Sequence, residues 1–383
     1  MANIIKTQED ILAKLQIEAL NPMQIEAVAV IKKNINTILL SPTGTGKTLA
    51  FSLPLLDFLD PESKEVQALI LVPSRELAIQ IEQVIRSMGS GYKVNAVYGG
   101  RPMSKDKIEL KHIPAILIGT PGRISDHFAN DRFSKDSIKT LILDEFDKSL
   151  EVGFEYEMRN IINQLPALDK RILTSATQVV EIPEFVKLEE PIIINYLKGK
   201  RTSQLNFQTV VSPTKSKLKT VLELVQHIGN EPGIIFCNLK DSITQLSTFL
   251  ERSEISHACF SGGMEQKDRE RALIKFRNGT CQLLIATDLA ARGIDIVEMK
   301  YIIHYELPKQ EEEFIHRNGR TARVNEKGTA YILKWENERL PDFIKPSKGL
   351  NISKKAEHVP QYWETLFISG GRKDKISKGD IAG

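Results

Sequence analysis

Cysteine is scarce in this chain: Cys237, Cys259 and Cys281 are the only three in 383 residues. An odd number without CxxC spacing excludes a disulfide framework and a zinc site, and fits a reducing cytoplasm. Long hydrophobic runs are also missing. Stretches such as Ala68 to Val72 and Leu141 to Leu143 have the length of buried strands and fall far short of a membrane span. The opening residues, MANIIKTQEDILAKL, mix acids and bases without an apolar core or a small-residue cleavage site, so no signal peptide is expected. Net charge is nearly absent too, at +3. It is unevenly placed, however: residues 345–383 hold eight Lys/Arg against four acids, leaving the rest close to neutral. Such a basic tail either meets an anionic polymer or is a solvated, disordered segment, and composition leaves both readings open.

What is present fits a soluble globular chain, with 41% hydrophobic and 26% charged residues. The length exceeds one ordinary core and suits two domains. The same order of parts occurs twice. Ala68 to Val72 leads into polar Pro73-Ser74-Arg75-Glu76 and a helical pattern from Leu77 to Met88; Gly233 to Phe236 leads into Cys237-Asn238 and a helical pattern through Leu250. Ala115 to Ile118 runs into Gly119-Thr120-Pro121-Gly122-Arg123, as Leu283 to Ile285 runs into Ala286-Thr287-Asp288. Apolar strands alternating with amphipathic helices predict two parallel α/β sheets in tandem. The polar segment between Asn195 and Phe207 places one boundary, and a second follows near Leu340, before Pro341 and Pro346. The expected domains are 1–200 and 206–340, with a tail over 341–383.

The strongest local pattern is Ser41-Pro42-Thr43-Gly44-Thr45-Gly46-Lys47-Thr48, after the apolar strand Asn36 to Leu40 and before a helical segment, Leu49 to Phe58. That strand-loop-helix context is what a phosphate loop requires. Glycines let backbone N–H groups turn around phosphates, Lys47 is placed to reach the β and γ phosphates, and the Thr48 hydroxyl is placed to ligate Mg²⁺. Ser41 stands where the general pattern has a glycine. Downstream, the buried-strand run Lys139 to Leu143 ends in Asp144-Glu145-Phe146-Asp147, putting carboxylates at the strand end where open α/β sheets bind ligands. There Asp144 is placed to hold Mg²⁺, and Glu145 to orient or deprotonate the attacking water.

Taken together these segments resemble the DEAD-box RNA helicases of superfamily 2, from Leu15 to Leu340. The tetrapeptide reads DEFD, with Phe146 in place of alanine. Around it, in the family's order, stand Asn21-Pro22-Met23-Gln24, Pro73 to Ala78, Gly99-Gly100, Thr120 to Arg123 and Ser175-Ala176-Thr177. Ile234 to Asn238, Gln266 to Arg269, Ala286-Thr287-Asp288 through Arg292 to Asp295, and His316 to Arg323 follow in the second half. The resemblance implies two tandem RecA-like domains, ATP and Mg²⁺ as cofactors, and single-stranded or duplex RNA as partner to a monomeric helicase that works near ribosome assembly.

Position by position, the resemblance implies that Gln24 reads the adenine edge, for which an amide offers both a donor and an acceptor. Ile17 takes the place of an aromatic residue that packs on the base, so weaker nucleotide affinity than in typical members is expected. It assigns RNA contacts to Pro73, Arg75, Gly99, Gly100, Thr120, Pro121 and Arg123 in the first half, and to Gly263, Gln266, Arg269 and Thr287 in the second. Contacts of these types grip a backbone without reading sequence. It further implies that Gly293 and Asp295 serve the nucleotide, with Asp295 at the ribose, and that Ser175, Thr177 and His316 belong to the coupling of nucleotide state and RNA grip. Arg320 and Arg323 reach the γ-phosphate, a contribution worth ~10³ to 10⁵ in rate. Asn318 and Ala322 depart from the family pattern.

The implied cycle closes two halves on ATP and RNA, bends the strand, and reopens after hydrolysis. An ATP-gated RNA clamp without unwinding uses the same residues, and a DNA-directed motor of the superfamily stays open as another reading. Residues 363–375 are similar to the opening of the RNA-binding module of DbpA-type and DeaD-type bacterial helicases, which implies a structured RNA target, ribosomal RNA among them. Gly383 is expected to be a truncation point within that module, and 353–383 to be disordered or loosely docked.

Overall fold

The computed structural model describes residues 5–177, 182–197, 204–291, 299–321, 327–345, 347–352 and 364–368. Two seven-stranded sheets organise them. The first is built from β1 (Asn36–Leu40), β2 (Ala68–Leu71), β3 (Val94–Val97), β4 (Ile116–Gly119), β5 (Thr140–Leu143), β6 (Lys170–Ser175) and β7 (Ile192–Asn195). Their order across the sheet is β3-β4-β2-β5-β6-β1-β7, with parallel neighbours throughout. The strands read as near-continuous apolar runs because both faces are covered. The two-residue period of a strand then sends alternate side chains to opposite cores. Leu39, Ile70, Ile118, Ile142 and Ile172 enter one cluster, whereas Leu40, Leu69, Leu117, Leu141 and Leu173 enter the other.

The helices between these strands are specified locally. In Arg75–Met88, Ser74 caps the start by accepting from the Leu77 N–H at 3.2 Å, a contact worth about 1 kcal/mol. Leu77, Ile81, Ile85 and Met88 form the buried stripe, and Gly89 ends the helix in the left-handed region at φ 62°.

The second sheet comprises β8 (Gln204–Ser212), β9 (Gly233–Cys237), β10 (Ala258–Phe260), β11 (Leu283–Thr287), β12 (Tyr301–His304), β13 (Lys327–Trp335) and β14 (Lys348–Gly349), ordered β10-β11-β9-β12-β13-β8-β14. Gly233 faces Tyr301 across the β9-β12 ladder, and a Cβ there would collide with the Tyr301 ring. Both sheets were expected from the strand-helix alternation. Helix Lys47–Leu56 begins two residues before the expected Leu49 and extends the turn directly out of the phosphate loop. By mutual contact, the described residues of Pro308–Ala330 group with those up to Asn206, whereas those of Phe207–Thr287, Met299–Leu307 and from Tyr331 onward form a second compact unit. No helix among the described residues is long and apolar enough to cross a membrane.

Candidate functional site

Strand order decides which loops meet at the C-terminal edge of the first sheet. Strands β1, β6 and β5 are neighbours, so the loops after Leu40, Ser175 and Leu143 emerge side by side. They carry the phosphate loop, the Ser175-Ala176-Thr177 segment and the acidic turn. Strands β2, β4 and β3 continue the same edge, bringing together Pro73 and Arg75, Thr120 to Arg123, and Gly99-Gly100.

The phosphate loop is held in shape by its own polar atoms. Gly44 and Gly46 take φ of 81° and 87°, which a side chain would resist. The Ser41 and Thr45 hydroxyls lie 2.8 Å apart, Thr45 Oγ1 donates to the Pro42 carbonyl at 2.8 Å, and Asn21 Nδ2 donates to the Thr45 carbonyl at 3.0 Å. Ser41, the departure from glycine, is therefore buried and braces the loop through its hydroxyl. Lys47 sends Nζ to the carbonyls of Ser41 (2.6 Å) and Pro42 (3.2 Å), and burial pulls its pKa down despite the nearby Asp144 and Glu145 carboxylates. Thr43 in the loop and Thr48 in the first turn of the helix are half-buried.

Gln24 lies against this loop. It is buried; its Oε1 accepts from the Asn21 N–H at 3.0 Å, and its Nε2 donates to the Gly46 carbonyl at 3.3 Å. Gln24 thus belongs to a capping box that the Asn21 side chain completes at 2.9 Å, a pairing readable from asparagine followed three residues later by glutamine. Ile17 is half-buried and packs on the first core.

The acidic turn carries the site's charge. Asp144 is buried, accepts the Thr174 hydroxyl, and has its pKa raised by burial. Glu145 is a non-glycine residue in the left-handed region, at φ 49° and ψ 51°, a strained geometry that aims its side chain independently of the following helix. Burial and the Asp144 charge push its pKa up, with Arg320 and Lys47 opposing. Phe146 is fully buried in the second core. Thr177 Oγ1 donates to Asp147 Oδ2 at 2.7 Å, Ser175 Oγ donates to the Thr177 carbonyl at 2.8 Å, and the Ser41 N–H donates to the Ser175 carbonyl at 3.0 Å. A continuous chain of bonds therefore links acidic turn, Ser175-Ala176-Thr177 segment and phosphate loop.

At the other end of the edge, the Arg75 guanidinium lies beside Gly99 and Gly100, and a Cβ on Gly100 would strike it. Pro73, Thr120 and Pro121 are buried at the loop bases. Arg123 is turned inward: its Nε donates to the Tyr98 carbonyl at 3.0 Å and its Nη2 to the Arg101 carbonyl. In the second compact unit, Gly263 is exposed at φ 93°, Thr287 ends β11 beside β10, and Gln266 Nε2 donates to Glu270 at 3.1 Å. Arg269 stacks over the Phe260 ring at 4.7 Å.

On helix Glu311–Asn318, His316 is half-buried. Arg317 is fully buried and forms a two-pronged ion pair with Asp288 at 2.7 and 2.6 Å, a role that spacing alone did not single out. Arg320 is buried in the following turn. Gly293, Asp295 and Arg323, along with most of 353–383, lie outside the described residues. Thr174 was missed because it acts from an ordinary strand position, and Asn21, though within a quoted motif, was given no role of its own.

The chain matches the family model described as DEAD/DEAH box helicase over residues 21–185, and that described as helicase conserved C-terminal domain over 216–325. It is 36% identical over 314 residues to ATP-dependent RNA helicase eIF4A of Mycosarcoma maydis, covering 80% of this chain and 76% of the relative. It is 31% identical over 383 residues to ATP-dependent RNA helicase DbpA of Escherichia coli, covering 95% and 82%. Its fold is similar to that of S. cerevisiae Dbp5 bound to RNA and ADP BeF3, with a TM-score of 0.76 and 26% identity over 85% of this chain and 87% of that one. The chain belongs to the DEAD-box ATP-dependent RNA helicases, enzymes that couple ATP hydrolysis to RNA remodelling.

Proposed function

We propose that the two groups of loops on the first sheet divide this activity: those after β1, β5 and β6 hold and hydrolyse ATP, and those after β2, β3 and β4 grip the RNA backbone. The observation that carries this reading is their common C-terminal edge, with the bond chain from Asp147 through Thr177 and Ser175 to Ser41 running across the nucleotide half. Gln24 selects adenine while bracing Gly46. Pro42, Thr43, Gly44, Thr45, Gly46 and Lys47 surround the phosphates, Glu145 orients the water, and Arg320 and Arg323 stabilise charge as the γ-phosphoryl group leaves.

The donor set suits Mg²⁺. Asp144 is a buried carboxylate whose proton affinity is raised by burial, and Thr48 adds a hydroxyl in the first turn of the helix that leaves the phosphate loop. A bound Mg²⁺ supplies Lewis-acid neutralisation of phosphate charge. In the second compact unit, Gly263, Gln266, Arg269 and Thr287 complete the backbone grip. Hydrolysis then depends on RNA and ATP drawing two RecA-like halves, which the sequence motifs assign to 1–200 and 206–340, into one working arrangement.

We further infer a monomer acting in the cytoplasm on structured RNA, with ribosome assembly as the process. This rests on the likeness of 363–375 to the opening of an RNA-binding module. Duplex displacement and ATP turnover, measured with RNA and with DNA of matched sequence, test the reading. Turnover and displacement specific to RNA support it; turnover without displacement favours the clamp, and equal stimulation by DNA favours the DNA-directed motor.

A further inference from the structure

Behind the Gly99-Gly100 turn lies a buried charge cluster in which Arg123 alone belongs to the motifs; Asp106, Arg101 and His127 were given no role. Asp106, on helix Met103–Glu109, has no exposed side-chain surface. Its Oδ1 faces Arg101 Nε at 2.9 Å, and its Oδ2 faces Arg123 Nε at 3.4 Å and His127 Nε2 at 3.1 Å. His127 is equally buried. Arg132 Nη1 lies 3.3 Å from His127 Nδ1. Because arginine can only donate, Nδ1 is the acceptor, so Nε2 carries the proton that His127 gives to Asp106.

The cluster acts on the backbone of the turn. Arg123 donates to the carbonyls of Tyr98 and Arg101, the two residues that flank the glycine pair, and Arg101 Nη1 donates to the Ala96 carbonyl at 3.3 Å. The carbonyls on both sides of Gly99-Gly100 are therefore drawn inward by guanidinium groups. A largely buried guanidinium keeps such a geometry while anions balance it, and Arg101 also meets Glu109 at 2.7 Å and Arg123 meets Asp126 at 3.9 Å. Asp106 is the carboxylate common to both.

We propose that Asp106 is a positioning residue for RNA binding: it fixes Arg123 and Arg101 so that the Gly99-Gly100 turn is held ready for the RNA backbone. This deepens the proposed function and rests on its assignment of Gly99, Gly100 and Arg75 to RNA. The phosphate loop follows β1, at the other side of the sheet from β3 and β4. Loss of Asp106 therefore acts on RNA affinity and leaves ATP affinity alone.

The test measures RNA-stimulated ATP turnover against RNA concentration for Asp106→Asn, His127→Leu and Arg75→Ala, alongside ATP binding without RNA and the melting temperature. Asp106→Asn is expected to raise the half-saturating RNA concentration ~10-fold or more, the size of one lost charge-assisted hydrogen bond. ATP affinity and turnover at saturating RNA should stay within ~2-fold, the split that marks a lost binding contribution rather than a lost catalytic one. His127→Leu, which removes only one donor to Asp106, should shift the RNA requirement in the same direction by a smaller factor. If Asp106→Asn fails to fold, His127→Leu decides on the same terms. An unchanged RNA requirement in a folded variant, or an equal loss of ATP affinity, overturns the proposal. If Arg75→Ala leaves the RNA requirement unchanged, the assignment of this surface to RNA fails first, and the role of Asp106 with it.

Discussion

Thr177 donates a 2.7 Å hydrogen bond to the Asp147 carboxylate, joining the end of β6 to the acidic turn after β5. Because Ser175, two residues earlier, is bonded to the phosphate loop through its backbone, a change at the acidic turn reaches the loop through covalently short steps. Replacing Thr177 with Val removes the donor and keeps the volume. Expected is a variant that retains ATP turnover within ~3-fold but loses most strand displacement, since a hydrogen bond to a charged group is worth ~1.5–3 kcal/mol. Parallel turnover and displacement assays check it. Equal losses in both would show that the bond serves catalysis directly.

Gly46 takes φ 87°, and a Cβ at this position would run into Gln24 Nε2. Gly46→Ala meets both obstacles at once, with the left-handed backbone alone costing about 1–2 kcal/mol. ATP affinity should fall ~10-fold or more, measured by equilibrium nucleotide titration. Gln24→Ala in the same background gives the Cβ room and should recover part of the lost melting temperature, while ATP affinity stays low because the adenine reader is gone.

Glu145 combines strain with an unfavourable charge. Its folded-state pKa is raised by burial and by Asp144, so the folded protein holds a proton that the unfolded chain has released. Between the ordinary value of 4.5 and the raised one, stability falls as pH rises, and at neutral pH the carboxylate is a net cost. Glu145→Gln should therefore melt at a higher temperature than the parent at neutral pH while turnover drops ~10² to 10⁴-fold. If only the carboxylate form orients the water, as proposed, turnover should decline as pH falls and Glu145 takes up a proton. A pH profile of turnover at saturating ATP and RNA, and melting curves of both proteins, check the two signs.

Ile17 is half-buried against the first core in place of an aromatic ring. Stacking of an aromatic side chain on a π-system contributes about 0.5–1.5 kcal/mol beyond area burial, so Ile17→Phe should tighten ATP binding ~2 to 10-fold. A titration showing no tightening would remove the base-packing role from this position.

Much of the fold was legible because parallel strands buried on two faces leave unbroken apolar runs, and each run was followed by turn residues and a periodic helix. The expectation of a nucleotide site came from glycine, lysine and carboxylate at strand ends, and strand order brings those loops to one edge. The supporting bonds were not legible. Thr174 is an ordinary strand residue until β6 pairs with β5 and brings its hydroxyl to Asp144. Asp106 sits in a charged stretch, Met103–Glu109, that reads as a solvated face, and only the packing of that helix against Pro121–Ala129 buries it with His127. Arg123 was visible as part of a motif, but the hydrogen bonds its guanidinium gives to the carbonyls of Tyr98 and Arg101 were not.

Conditional catalysis is the central claim: Lys47 holds ATP whether or not RNA is bound, and Glu145 and Arg320 turn it over only with RNA in place. The direct measurement is ATP turnover by the intact chain at saturating ATP, with and without saturating single-stranded RNA, paired with ATP affinity in both states. The account predicts turnover at least ~10-fold higher with RNA, equivalent to 1.4 kcal/mol or more of barrier, with Arg320→Ala abolishing the rise but not ATP binding. Turnover that is the same with and without RNA would contradict it.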